Sequence, residues 1–287
     1  VEPLACIGVP IDSVNRRPGA YEDGPAALRE LGLPAALGGE DRGDLELRAR
    51  GEERDPETGI LAGPGVLEAT ATIRAAVAGL LGEEVRPFLA GGCCAGLPGA
   101  LAGARDALGS IGLVHFDGHL DLYDGETSAS GEAADMPVSV ALGLGPAAWV
   151  EAAGGPSAAP ERTALVGFRD RAESVEYGMR QPETLDPPPL LRPTEDLRER
   201  GPGEVAAGLP ALLGAPFWLH FDVDVLDEAV FPATDYLMPG GLSWDEAREV
   251  LAPLLNSPRL IGASLACYNP EKDPDRACGK ALVAALG

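Results

Sequence analysis

The segment Ile111-Gly112-Leu113-Val114-His115-Phe116-Asp117-Gly118-His119-Leu120-Asp121 runs an apolar stretch directly into two carboxylates and an imidazole. A short apolar run closed by polar residues reads as a buried strand. Strand side chains alternate between faces, so positions 117, 119 and 121 converge only where the backbone leaves regular strand geometry, as it does at a strand end. Farther along, Phe217-Trp218-Leu219-His220-Phe221-Asp222-Val223-Asp224-Val225-Leu226-Asp227 has the same design, with acids where a second buried run stops.

Around these two segments, strand-like runs at 4–9, 86–90, 163–168 and 260–265 alternate with helix-like stretches at 25–31, 95–108, 202–213 and 244–255. That rhythm predicts a three-layer α/β/α fold, a central parallel sheet covered by helices on both faces. With no composition break and no internal repeat, residues 1–287 are expected to form one domain. Segments 51–65, 125–131, 145–160 and 181–193 are rich in Gly, Ser and Pro and long for plain connections, so some are expected to be functional loops. In open parallel sheets ligands sit beyond the carboxyl ends of the strands, which is where both acid clusters fall.

Acidic residues number 45 against 22 basic ones, a formal charge of −23 that repels phosphate backbones and anionic lipid headgroups. Nucleic acid and membranes are therefore poor candidate partners, and a small-molecule substrate is expected. No run approaches the roughly 18 uninterrupted apolar residues of a membrane span. The start, Val1-Glu2-Pro3, lacks the basic-then-apolar pattern of a secretory signal, so a soluble cytoplasmic protein is expected. Cys6, Cys93, Cys94, Cys267 and Cys278 are too sparse for a disulfide scaffold and read as reduced thiols.

Aspartates near strand ends are commonly helix caps or turn residues. Unpaired carboxylates are costly to bury, however, and two acid clusters with a histidine between acids call for a cation. The donors Asp117, His119, Asp121, Asp222 and Asp224 form a hard, oxygen-rich set that suits Mn2+ or Mg2+ better than a structural zinc cage. Two such ions sharing bridging carboxylates activate a water as nucleophile.

The Asp-x-His-x-Asp run at 117–121 and the Asp-x-Asp pair at 222–224 resemble the two metal motifs of the ureohydrolase superfamily of arginases, agmatinases and formimidoylglutamases. The likeness extends to nearly the whole chain. Gly8-Val9-Pro10 through Leu33, with Asp23-Gly24-Pro25-Ala26-Ala27-Leu28-Arg29, resembles the family's opening. Asp41-Arg42-Gly43-Asp44-Leu45, Gly167-Phe168-Arg169-Asp170, Pro239-Gly240-Gly241-Leu242 and Asn269-Pro270 resemble further landmarks. The resemblance implies an arginase-like fold, a homo-oligomer, and one or two metal ions, manganese first, with zinc, iron or magnesium as alternatives. It places one ion on Cys94, Asp117, Asp121 and Asp222 and the other on Asp117, His119, Asp222 and Asp224, with Asp117 and Asp222 bridging.

Several positions depart from the family pattern. The family usually has Gly-Gly-Asp-His before a helix, with the histidine as ligand. This chain has Gly91-Gly92-Cys93-Cys94, which puts Cys94 at the ligand position, as in a few relatives acting on hydroxylated guanidines. Two readings of Cys94 stand: a thiolate ligand that biases its site towards zinc or iron, or a small buried residue that leaves its ion weakly held. The histidine thought to shuttle protons falls on Ala134, which passes that role to Asp135, Glu132 or solvent. The glutamate that grips the guanidinium falls on Cys267, and a neutral thiol cannot make the charge-assisted bidentate pair, so arginine is not expected as the ordinary substrate. Ser128 and Ser130 stand where the family holds a substrate carboxylate, whereas the acid that would hold an α-amino group falls on Ala172. His115 and His220, inside apolar runs, are expected to be core residues.

The expected activity is hydrolysis of a linear C–N bond in a guanidino, hydroxyguanidino or amidino compound by metal-activated water. Asp121 and Asp135 are the candidate catalytic groups, and Ser128, Ser130 and Cys267 the candidate substrate contacts. The alternative is a non-catalytic metal-binding relative. A deacetylase-like amide hydrolase fits less well, because those enzymes need a tandem histidine pair and none of the 3 histidines here adjoin.

Overall fold

The computed structural model describes residues 3–14 and 20–287. Val1, Glu2 and residues 15–19, part of the stretch that resembles the family's opening, lie outside the described residues. The strands are β1 (Leu4–Val9), β2 (Glu40–Asp44), β3 (Arg86–Gly91), β4 (Gly112–Phe116), β5 (Thr163–Val166), β6 (Leu190–Arg192), β7 (Phe217–Asp222) and β8 (Leu260–Ala266). They make one 8-stranded sheet in the order β2-β1-β3-β8-β7-β4-β5-β6, with every pairing parallel.

The predicted three-layer α/β/α architecture is the one that forms. Helices Gly63–Gly82, Leu97–Leu108, Pro137–Ala141 and Ala147–Ala152 pack together in one layer. Gly24–Glu30, Pro202–Leu213, Trp244–Leu255 and Ala277–Leu286 form the other. Because both faces are covered, the central strands are continuous apolar runs, and β4 and β7 are buried at every position. Helix Gly63–Gly82 is long and apolar enough to cross a membrane by length and composition. Here its stripe of Val66, Ile73 and Val77 is buried, and the helix packs on Leu97–Leu108.

At the sheet edge, β2 reads Glu-Asp-Arg-Gly-Asp and carries no apolar side chain. Charge on an edge strand discourages pairing with another chain. Arg29 ties this edge to the first helix, donating from Nε to Asp41 Oδ1 at 3.0 Å and from Nη2 to Asp44 Oδ1 at 2.6 Å.

The strand order sets β3, β8, β7, β4 and β5 side by side, so their carboxyl ends open on one edge. Cys94 follows β3, Cys267 follows β8, Asp222 closes β7 with Asp224 just beyond, Asp117 to Asp121 follow β4, and Asp170 follows β5. Parallel topology alone brings together residues far apart in the chain.

Candidate metal centre

Each wall of the centre has a local reason. β3 hands over to Cys94 through Gly92, where a Cβ would lie 2.0 Å from the Ile11 carbonyl oxygen. The turn after β4 leaves strand geometry: His119 N donates to Asp117 Oδ1 at 2.7 Å, and Leu120 N donates to Asp170 Oδ2 at 3.1 Å. Asp121 takes a left-handed φ of 52°, a conformation that costs a non-glycine residue about 1–3 kcal/mol and gathers at functional sites. After β7, Asp224 N donates to Asp222 Oδ1 at 2.8 Å, and Gly118 N donates to Asp224 Oδ1 at 3.1 Å. Arg169 secures this loop by donating from Nη2 to the Asp224 and Met238 carbonyl oxygens at 2.8 and 2.9 Å. Gly118 is needed beside it, because a Cβ there would lie 2.6 Å from Arg169 Nη1 and 2.8 Å from the Asp224 carbonyl oxygen.

Cys94, Asp117, His119, Asp121, Asp222 and Asp224 all line one cavity of about 240 Å³. Cys94 Sγ lies 2.6 Å from Asp222 Oδ2 and 3.9 Å from Asp117 Oδ2. His119 Nδ1 lies 3.0 Å from Asp224 Oδ2 and 3.6 Å from Asp117 Oδ1.

Burial, reinforced by Asp121 and Asp224, pushes the Asp117 carboxyl up to about 7. It holds Asp121 and Asp222 well above the ordinary carboxylate range. Burial opposes the charge on Asp224 as well, but the adjacent His119 outweighs it and keeps Asp224 low. Burial likewise opposes the charge on His119, yet Asp224 and Asp117 raise it. The Cys94 thiol is pushed up by burial and by its Cys267 and carboxylate neighbours. So much buried acid facing so little fixed positive charge is what a divalent cation neutralises, and a cation reverses these shifts.

The donors fit that cation. Among the described residues, Asp121 Oδ2 and both ring nitrogens of His115 are buried without a hydrogen bond. Among the described residues, donor atoms also gather in three groups close enough to share ions: Cys94 with Asp117, His220 and Asp222; His115 with Asp117 and Asp121; and Asp117 with His119 and Asp224.

Residues 2–286 match the model of the arginase family. The chain belongs to the arginase family. An arginase of Bacillus caldovelox is 27% identical, aligned over 100% of this chain and 97% of its own length. The native structure of arginase from that organism superposes with a TM-score of 0.87 at 25% identity, covering 100% of this chain and 97% of the other. The N(omega)-hydroxy-L-arginine amidinohydrolase of Streptomyces lavendulae is 31% identical over 75% of this chain and 72% of its own.

Within this arginase-family frame, two residues do more than the sequence reading assigns them. His115 and His220, taken there as core, are indeed 0% and 1% exposed. Their rings nevertheless face the centre. His115 Nε2 lies 3.3 Å from Asp117 Oδ2 and 3.2 Å from Asp121 Oδ2. His220 Nε2 lies 3.3 Å from Cys94 Sγ. The signal was available: His-Phe-Asp occurs at both 115–117 and 220–222, and a period of two puts each histidine on the same strand face as the following acid.

The expected substrate contacts divide. Ser130, Asp135 and Cys267 line the cavity. Ser128 does not: it is 2% exposed, and its hydroxyl donates to Asp135 Oδ2 at 2.8 Å and accepts from Gly131 N at 2.9 Å. Ser130 donates to the same Asp135 oxygen at 2.7 Å. Glu132, the other candidate proton carrier, is buried, accepts the Tyr236 hydroxyl and is absent from the cavity lining. Asp135 lines the cavity beside Ala134, and burial raises its carboxyl. Glu173, next to Ala172, and Asp170 both line the cavity. Cys267 has a left-handed φ of 66°, and its Sγ lies 3.7 Å from Cys94 Sγ.

The loop 125–131 is held in place by Arg54, which donates from Nη2 to the Gly125 and Ser128 carbonyl oxygens at 2.9 and 2.8 Å. Arg54 lies in the segment 51–65 and was not singled out in the sequence, where a surface arginine carries no mark of this task.

Proposed function

We propose that the chain hydrolyses a linear C–N bond of a small hydroxyguanidino, guanidino or amidino compound with the help of divalent cations, manganese foremost at the His119 side. The observation that carries this reading is the convergence of Cys94, Asp117, His119, Asp121, Asp222 and Asp224 on the floor of one acid-walled cavity. When bound, such ions supply a water acidified for attack at neutral pH and polarise the carbon under attack. Asp121 orients the attacking water. Asp135, held by Ser128 and Ser130, carries the proton to the departing nitrogen. Its carboxyl is raised by burial towards the range where proton transfer is efficient. Asp170 and Glu173 attract the cationic end of the substrate.

The position of Cys267 favours the hydroxylated member of the class. A thiol lacks the charge that a guanidinium seeks, and N-hydroxylation lowers the basicity of the group. The 31% identity to an enzyme named for hydroxyarginine supports the same choice. The test loads chelator-stripped protein with Mn2+ or Zn2+ and measures ammonia, urea and hydroxyurea release from guanidines, hydroxyguanidines, amidines and amides. Turnover of hydroxyguanidines ahead of guanidines is expected. Full metal loading with no release from any of them would overturn the proposal in favour of a non-catalytic metal-binding role.

A further inference from the structure

Two histidines under the centre are absent from the ligand set implied by the sequence. His220 projects from β7 one pleat below Asp222, between Leu219 and Phe221. Its Nδ1 is 2.7 Å from Ser264 Oγ on the paired strand β8, and Ser264 also accepts the indole N–H of Trp218 at 3.0 Å. With two lone pairs, the Ser264 oxygen has room for both N–H groups. In that arrangement His220 Nε2 carries a lone pair directed towards Cys94 Sγ, 3.3 Å away, where it accepts from the thiol in the absence of an ion. Anchoring of the far ring nitrogen by a hydrogen bond is the usual condition of a metal-binding histidine.

We propose that His220 and Cys94, with Asp117 and Asp222, form a mixed nitrogen, sulfur and oxygen site that selects zinc-class ions over manganese in the half of the centre away from His119. This rests on the metal-centre reading above and deepens it. The donor atoms of these residues lie within 4.8 Å of one another. Bonds of about 2.0–2.3 Å to a tetrahedral ion set donors roughly 3.3–3.8 Å apart; the His220 to Cys94 separation of 3.3 Å meets this, and binding would move the Cys94 thiol away from Asp222 Oδ2, 2.6 Å off, and slightly closer to Asp117 Oδ2, 3.9 Å off. His115 is an independent sign of a ligand here: it is fully buried, neither ring nitrogen has a hydrogen-bond partner among the described residues, and Nε2 is aimed between Asp117 and Asp121. Cysteine and histidine donors together favour zinc, cobalt or iron over manganese, which prefers oxygen. The ion that Cys94 alone would hold weakly thus gains an imidazole from the strand beneath it.

The experiment uses the full chain, reduced and stripped with chelator, then given one equivalent of Zn2+. X-ray absorption is expected to find sulfur at about 2.3 Å and imidazole nitrogen at about 2.0 Å around the same ion. In competition with a chromophoric chelator, Cys94→Ser, His220→Gln and His220→Ser should each weaken zinc at least about tenfold while Mn2+ uptake at the His119 side stays unchanged. The two His220 variants guard against one failing to fold, which circular dichroism checks. A zinc shell without sulfur, or His220 variants with unchanged zinc affinity, would overturn the inference and leave His220 a packing residue. Asp222→Ala separates the two levels: if that variant keeps all its metal, the centre as a whole has been misplaced, not only its sulfur-containing half.

Discussion

His115 and His220 lie opposite each other in the β4–β7 pairing, with ring centroids 5.2 Å apart and planes 20° from parallel. Stacked imidazoles at the floor of an acid-rich site need a reason, because each carries polar nitrogens into a region where apolar side chains would pack at lower cost. Their contacts supply it: one ring faces Asp117 and Asp121, the other Cys94.

From this pair comes the first prediction. His115→Phe keeps an aromatic ring of similar size beside His220 and removes only the nitrogens. The fold should survive, since the substitution conserves shape, with a stability change under about 1.5 kcal/mol. Affinity for divalent metal should fall about 10–100-fold, the usual effect of removing a polar neighbour from ligating groups. Metal titration together with thermal unfolding checks both halves. Unaltered affinity would make the ring a spacer.

Asp222 contacts both halves of the centre, with Oδ2 near Cys94 Sγ and Oδ1 accepting from Asp224 N. Asp222→Ala is therefore expected to remove nearly all bound metal, not one ion of two, and to cancel any thermal stabilisation that metal gives to the unmodified protein. Metal analysis after dialysis decides this, and metal content equal to that of the unmodified chain would refute the assignment.

The parts of this molecule legible in the sequence are those whose apolar pattern is regular and whose ends carry their own signals. Helices Pro202–Leu213 and Trp244–Leu255 begin and end where the reading puts them, the first opened by proline and the second by the Ser243 and Glu246 capping box. β2 escapes it because Glu40–Asp44 has no apolar residue and is a strand only through its pairing with β1. Helix Gly63–Gly82 escapes it because its start lies in a Gly- and Pro-rich stretch and its apolar residues wrap the whole helix, leaving no sharp face to detect. In the site, the acids were legible because carboxylates after buried runs stand out. His115 and His220 were not, because a histidine inside an apolar run looks like packing until its strand phase is compared with that of the acid two residues on.

A pH dependence follows from the capping box. Glu246 accepts Arg198 Nε at 2.8 Å and Ser243 N at 2.8 Å, and the Arg198 hydrogen bond, with that from the Ser243 backbone, holds its carboxyl down at about 2 from an ordinary 4.5. A depressed folded-state value means that the stabilisation is fully present above the ordinary value and lost as pH falls from there towards about 2. Glu246→Gln keeps the cap geometry but loses the charge of a solvent-screened pair, so it should cost about 0.5–1 kcal/mol near neutrality. The gap from the unmodified protein should narrow in denaturant melts taken at successively lower pH below the ordinary carboxylate value. A gap independent of pH would show that the charge does not matter.

On the proposed reading, Cys267 sets what the cavity grips. It follows β8 in a left-handed conformation, 5% exposed, and its N–H donates to the Gly92 carbonyl oxygen at 2.7 Å, so its side chain is fixed over the centre beside Cys94. Burial and the neighbouring Asp222 push its thiol well above the ordinary value, so it meets a substrate as a neutral group. A guanidinium placed there finds no charge-assisted pair, and urea release from arginine by the unmodified protein should be slow. Cys267→Glu adds a carboxylate that can extend into the 240 Å³ cavity. A hydrogen bond to a charged partner is worth about 1.5–3 kcal/mol, so the variant should bind guanidine compounds roughly ten- to a hundredfold more tightly, provided its metal content is unchanged. Hydroxyguanidine turnover should fall in the same variant if the neutral thiol is what accommodates the less basic group. Isothermal titration with a guanidine inhibitor, beside steady-state assays on both substrate types, measures the exchange. Efficient arginine hydrolysis by the unmodified protein would show that specificity lies elsewhere in the cavity.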